Sequence, residues 1–239
     1  MADAQERYAI YFVPEASSDL WQIGCRWLGR EPDAGQDSGP VFPDEATAAN
    51  LSPDAWASLT EAPRRYGFHA TLKPPFALRP DCDLADLDSA LAHFAAARRS
   101  VEGPRFLVAS LGNFIALRPA GTDTVLSDLA ADCVRAFDSF RHSPSAAELA
   151  RRRASKLTAR QEDLLETWGY PYVFEEFRFH MTLTGPLENA AKEALFPYLE
   201  KMFHAALTTP VRVAGVALFR EPAPGAPFET VRRYRFPGE

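Results

Sequence analysis

The sequence predicts a mixed helix-and-strand fold built as two related lobes, and three observations predict it. Phe68-His69-Ala70-Thr71-Leu72 returns as Phe179-His180-Met181-Thr182-Leu183, with a proline at the same offset beyond each phrase, Pro75 and Pro186. The two histidines stand 111 positions apart (180 − 69), close to half of the 239 residues, in a chain with five histidines. The order strand, loop, helix, hairpin follows both phrases, and no long linker or low-complexity tail divides the halves. Residues 1–239 are therefore expected to pack as one bilobal domain.

Each element has a local reason. Residues 8–13 form an aromatic and β-branched run ending at Pro14, a first strand. Ser17 or Ser18 caps a helix through Leu28, with Gly29 just past its end. Residues 31–43 are rich in Gly, Pro, Asp and Ser and read as an exposed loop. Two short helices are expected at 44–51 and 53–60. The first His phrase is expected as a strand stopped by Pro74-Pro75.

Leu84, Leu87, Leu91 and Phe94 recur at helical spacing within 83–99. Residues 105–117 read as a hairpin turning near Gly112-Asn113. Residues 122–140 are helical, with Leu126, Leu129, Val134 and Phe137 on one face. A charged helical region spans 146–168, with a break near Leu157-Thr158. After the second phrase, a helix over 188–207 disturbed at Pro197 leads to a final hairpin, 211–219 with 228–236.

Composition bounds the function. Hydrophobic residues make up 46% of the chain, enough for a sizeable core. A net charge of −6 argues against broad nucleic-acid binding, which rests on a basic surface. Cys25, Cys82 and Cys133 are odd in number and form no C-x-x-C pair, as in a reduced cytoplasmic protein without structural zinc. Residues 1–7 are polar, with no apolar stretch behind them, so neither a signal peptide nor a membrane span is predicted.

Alternation along a strand places residues two apart on one face. His69 and Thr71 share one face, and Phe68, Ala70 and Leu72 the other; His180 and Thr182 stand likewise against Phe179, Met181 and Leu183. The apolar set is the core face, so the polar set looks into solvent or a cleft. The same parity adds Lys73 to the first pair, and Arg178 and Thr184 to the second. Lys73 and Arg178 would bring positive charge to an anionic substrate. Arg64, Tyr11 and Tyr172 are further substrate-binding candidates: Arg64 precedes the first phrase, Tyr11 lies on the strand bordering the cleft, and Tyr172, with Tyr170, approaches the second phrase.

Two imidazoles and two hydroxyls suit metal-free acid–base chemistry at a phosphate. One neutral imidazole activates water while one imidazolium donates a proton, and an ordinary His pKa near 6.5 allows both forms. The threonine hydroxyls would hold non-bridging oxygens. His93, His142 and His204 lack a partner pattern and read as structural. Arg151-Arg152-Arg153 reads as a solvated helix face, with a lid over an anionic substrate as the alternative. No spacing suits a metal, and residues 157–162 lack the recognition helix that DNA binding needs.

The paired His-x-Thr phrases resemble the two-histidine (2H) phosphoesterase superfamily. Tyr8-Ala9-Ile10-Tyr11-Phe12, Leu20-Trp21, Trp27-Leu28-Gly29-Arg30, 63–73 and 175–180 resemble more narrowly a bacterial branch found beside phosphonate-degradation genes. The resemblance covers nearly the whole chain. It implies an α+β fold, bilobal and pseudo-two-fold, with antiparallel sheets lining a central cleft and helices outside. It also implies catalytic roles for His69 and His180, phosphate contacts for Thr71 and Thr182, and no cofactor. By analogy the first histidine protonates the leaving oxygen and the second activates water.

The expected function is that of a phosphoric diester hydrolase opening a small ribose cyclic phosphate, 5-phosphoribosyl 1,2-cyclic phosphate. Two alternatives stand beside it: an RNA-end 2′,3′-cyclic phosphodiesterase or 2′–5′ ligase-like enzyme, and a non-catalytic nucleotide-binding regulator. The expected partner is a small phosphate ester, with an RNA end as the alternative and with neither membrane nor DNA.

Overall fold

A computed structural model describes residues 6–34, 42–44 and 50–238. The expected loop at 31–43 and short helix at 44–51 lie partly outside these residues, except that 32–34 form a single 3-10 turn. The fold is α+β with antiparallel sheets. Its strands are β1 (Arg7–Phe12), β2 (Ala70–Phe76), β3 (Val101–Glu102), β4 (Phe106–Leu111), β5 (Phe114–Pro119), β6 (Met181–Thr182), β7 (Arg212–Val213), β8 (Gly215–Glu221) and β9 (Glu229–Arg235). The helices are α1 (Asp19–Leu28), α2 (Pro53–Tyr66), α3 (Leu84–Ala96), α4 (Val125–Phe137), α5 (Ala146–Arg153), α6 (Ala159–Trp168) and α7 (Asn189–Phe203).

Helix limits follow their caps. The Ser18 hydroxyl accepts from Trp21 N, and Gly29 closes α1 in the left-handed region at φ 67°. Asp83 and Asp86 form a capping box on α3, as Ser145 and Glu148 do on α5. Thr158 caps α6, which places the break in the charged region where the sequence suggests it. Pro197 lies inside α7 without ending it.

The larger sheet runs β2-β1-β8-β9 and the smaller β4-β5-β6, with β3 and β7 paired separately. Each hairpin thus joins the sheet of the other phrase. The hairpin after the first phrase receives β6, which carries Thr182, while β8 and β9 extend the sheet of β1 and β2. One core of buried side chains draws on both sheets and on helices α1–α4 and α7. Trp27 Nε1 donates to Leu183 O at 2.8 Å and Trp56 Nε1 to Trp27 O at 2.8 Å, tying α1 and α2 to the end of the second phrase.

The first phrase departs from its expected strand at both ends. His69 precedes β2, and β2 continues through Pro74 and Pro75 to Phe76. Two prolines are tolerated because β2 is an edge strand and misses no outer ladder bond. The β1–β2 register also steps, from Tyr11 opposite Thr71 to Ile10 opposite Lys73, so two residues of β2 pass for one of β1. Such a bulge inverts the alternation beyond it.

Candidate functional site

The two histidines are held in the same way. Gly67 ends α2 at φ 79°, where a Cβ would lie 2.2 Å from Pro32 Cγ, and its carbonyl meets His69 Nδ1 at 2.9 Å. Arg178 O meets His180 Nδ1 at 2.7 Å. A carbonyl only accepts, so each Nδ1 carries the hydrogen and each neutral ring leaves Nε2 as an acceptor, which at His69 takes the hydrogen of the Thr71 hydroxyl. His69 Nε2 lies 3.2 Å from Thr71 Oγ1, placing the first His-x-Thr pair on one face. β2 and β6 approach each other, and His180 enters the electrostatic surroundings of His69, so the two phrases lie near one another.

Aromatic rings wall the His69 side. The Tyr11 ring lies 3.8 Å from the imidazole, centroid to centroid, and Tyr66 lies 5.9 Å away. Tyr11, Phe219 and Phe228 belong to a small second core with Ala9 and Ala217. Tyr11 is fully buried, and its hydroxyl has no hydrogen-bond partner among the described residues. Behind it, Glu221 is buried between Arg7 Nε, at 2.5 Å, and Arg65. Phe114 lies 5.8 Å from the His180 ring on the other side.

Burial pushes His69 down to about 4, opposed by the hydrogen bond to Gly67 O and reinforced by His180. Burial also lowers His180, opposed by Arg178 O and reinforced by the Arg118 cation. Both rings are therefore neutral in the free protein near pH 7. The sign of the linkage follows. The unfolded chain takes up the His69 proton as pH falls through 6.5, whereas the folded protein resists until about 4. Stability is full above pH 6.5 and is withdrawn down to pH 4, by at most about 3 kcal/mol. Urea midpoints measured from pH 8 to 4.5 should fall less steeply for His69→Asn than for wild type; equal slopes would contradict the assignment.

The other candidates divide. Tyr11 lies against the His69 ring but is fully buried, so it meets the histidine from the core side. Lys73 does not share the face of Thr71, because the bulge turns it to the helix side. It is 2% exposed, paired to Asp138 Oδ1 at 3.2 Å and close to Val134 O at 3.4 Å on α4. Burial lowers its pKa to about 8, opposed by Asp138. Thr184 is fully buried because β6 ends at Thr182; its Oγ1 accepts from Ile115 N at 3.0 Å.

Arg178 is exposed and donates to Glu175 O and Phe177 O, both at 2.8 Å. Arg64 donates to Leu28 O, Ala57 O and Thr60 Oγ1 and covers the Trp56 ring. It also lines a cavity of about 420 Å³ with Arg30, Glu61 and Arg65. Tyr172 is 40% exposed and packs edge-on against Tyr170, and it is Tyr170 that shares the electrostatic surroundings of Tyr11 and Tyr66. Arg152 lies 4.7 Å over the Tyr170 ring, whereas Arg153 pairs with Glu162 and Glu166.

Two residues near the histidines were missed, Tyr66 beside the His69 ring and Arg118, whose charge acts on His180. Alternation along β5 puts Phe114, Ala116 and Arg118 on one face. The signal was usable only with the knowledge that β5 lies beside the second phrase. Among the described residues no helix is long and apolar enough to cross a membrane.

Fold and site together define an α+β protein of antiparallel sheets in which two histidine phrases lie near one another. The chain belongs to the family described as protein of unknown function DUF1045, whose model matches residues 71–229 and so includes Thr71, His180 and Thr182. It is similar to two proteins named ribose 1,5-bisphosphate phosphokinase PhnN. The one from Janthinobacterium sp. (strain Marseille) is 37% identical over 242 residues, 100% of this chain and 52% of the relative. The one from Laribacter hongkongensis (strain HLHK9) is 37% identical over 226 residues, 95% of this chain and 51% of the relative. The chain thus spans about half the length of the curated relatives it matches.

These relatives correct the expected activity. Their name is that of a phosphotransferase, which passes a phosphoryl group to an acceptor other than water. A phosphoric diester hydrolase opening cyclic phosphates conflicts with it, as do the RNA-end enzyme and the nucleotide-binding regulator. The paired motif was read through its resemblance to a hydrolytic superfamily, and such a resemblance does not by itself fix the acceptor.

Proposed function

We propose that the two-histidine cleft holds a phosphate of a phosphorylated ribose, and that the protein serves phosphotransfer metabolism of ribose 1,5-bisphosphate. The observation that carries this reading is the duplicated imidazole geometry. Each ring is fixed through Nδ1 by the carbonyl two residues earlier, leaving two unprotonated Nε2 atoms as acceptors on neighbouring phrases. A phosphate brought there raises both histidines toward their charged forms and receives two charge-assisted hydrogen bonds, with Thr71 and Thr182 as further donors.

The relatives' name supplies the sugar, and their PhnN designation supports the link with phosphonate metabolism. We read the two sheets as the lobes of the sequence repeat and the fold as that of the two-histidine superfamily, a reading supported by the shared Nδ1 bond. A phosphokinase must hold a phosphate donor as well as a sugar. Lys73, Lys156, Lys192 and Lys201 are the four lysines and none follows a glycine, so this chain has no Gly-Lys-[Ser/Thr] phosphate loop. The two imidazoles are what suggest the sugar phosphate side as its part in that chemistry. Three free thiols support a cytoplasmic setting.

Calorimetric titration with ribose 1,5-bisphosphate, ribose 5-phosphate and ribose tests the reading. Both phosphates should bind and ribose should not. His69→Ala and His180→Ala should each weaken phosphate binding about 10- to 100-fold, the value of a hydrogen bond to a charged group. Equal affinity in wild type and both variants would refute it.

A further inference from the structure

A phosphate beside the histidines needs a cation, and the lysine and the arginine chosen by sequence parity are committed elsewhere. Lys73 pairs with Asp138, and the guanidinium of Arg178 is bound to backbone carbonyls. The β5–β6 register supplies another candidate. Ala116 faces Thr182 and Leu117 faces Met181; His180 is the residue just before β6, and the next residue of β5 beyond the last pair is Arg118. It stands on the face of Phe114, whose ring meets the His180 ring. On its other side β4 places Leu107, which is 42% exposed, so no carboxylate faces Arg118 from that strand.

We propose that Arg118 is the guanidinium that binds the ligand's phosphate beside His180. Its Nε is buried and has no hydrogen-bond partner among the described residues. A buried donor left unmade is costly, and a built-in vacancy of this kind is filled by an acceptor that arrives with the ligand. Nε and one Nη form the side edge of the guanidinium fork, which matches two oxygens of a phosphate. The same cation acts on His180, so the residue and the ring share one electrostatic environment. Arg118 and His180 would then grip one phosphate from neighbouring strands. This inference rests on the reading of the cleft as a ribose phosphate site.

Arg118→Gln and Arg118→Lys, compared with wild type, separate the two. Ribose 5-phosphate, ribose 1,5-bisphosphate and inorganic phosphate are titrated calorimetrically, and the His180 imidazole is followed by NMR from pH 4 to 9. Arg118→Gln should weaken ribose phosphate binding about 10- to 100-fold. Arg118→Lys should recover part of the loss, keeping the charge without the fork. In Arg118→Gln the His180 titration should move upward without any ligand, which a merely structural role would not produce. Wild type that binds while Arg118→Gln binds equally well overturns this inference alone. Wild type that binds none of the phosphates overturns the ribose phosphate reading and this inference with it. If Arg118→Gln does not fold, Arg118→Lys decides: affinity within twofold of wild type overturns the fork.

Discussion

Truncating Phe68 to alanine should cost about 3–5 kcal/mol, the range for a fully buried phenylalanine, while His69→Ala, one residue further on, should change stability little at pH 8. Phe68 is completely buried, and its ring lies where a side chain at position 24 would be: a Cβ on Gly24 would fall 2.3 Å from Phe68 Cδ1. No neighbour can move in to fill the space, because the ring is backed by Phe203 at 6.3 Å and by the closely approaching α1 backbone. His69 lies outside that core, with its ring against Tyr11. Chemical denaturation should therefore separate the two faces, with Phe68→Ala losing stability and His69→Ala losing ribose phosphate binding. Equal losses of stability would mean that the phrase is a core segment with no free face.

The second large effect is expected at Glu221. Its carboxylate is fully buried and accepts from Arg7, Arg65 and the Gly225 backbone N–H at 2.9 Å. Burial pushes Glu221 up, but the hydrogen bonds from Arg7, Gly225 and Arg65 hold it below the usual carboxylate range. Glu221→Ala leaves two guanidinium groups facing each other and should cost about 3 kcal/mol. That is the lower end for a broken buried pair, because Arg7 and Arg65 are 22% and 32% exposed. The folded pKa is depressed, so this stabilisation is present above the unfolded value and is lost as pH falls through the folded one. A thermal melt of Glu221→Ala at pH 7 that matches wild type would show that the network is ornamental.

Much of this architecture was legible because it is local. The first helix with its Ser18 cap and Gly29 stop, the hairpin at Gly112-Asn113 and the break before Thr158 depend on residues a few positions apart. The core face of both phrases was legible for the same reason. Errors arise where pairing decides. Lys73 was assigned to the cleft by counting in twos, and a bulge against β1 inverts the count. Thr184 was assigned likewise, although β6 has only two residues and the chain has left the strand by then.

Arg118 was invisible for the complementary reason. Nothing in the β5 sequence states that the hairpin following the first phrase will pair with the second. Prolines 74 and 75 read as a stop, yet an edge strand can hold them. Activity was misread at a different level. The His-x-Thr repeat suggested a phosphate site by resemblance, whereas the reaction depends on the acceptor, which the motif does not encode.

The central claim is that both histidines meet one phosphate of a phosphorylated ribose. Its most direct test is the nitrogen NMR spectrum of the imidazoles at pH 7 during titration with ribose 1,5-bisphosphate. The account predicts that Nε2 of His69 and of His180 each move from the unprotonated toward the protonated shift, saturating at the same ligand concentration, while His93, His142 and His204 stay where they are. Nε2 signals of both cleft histidines that remain unchanged at ligand saturation would contradict it.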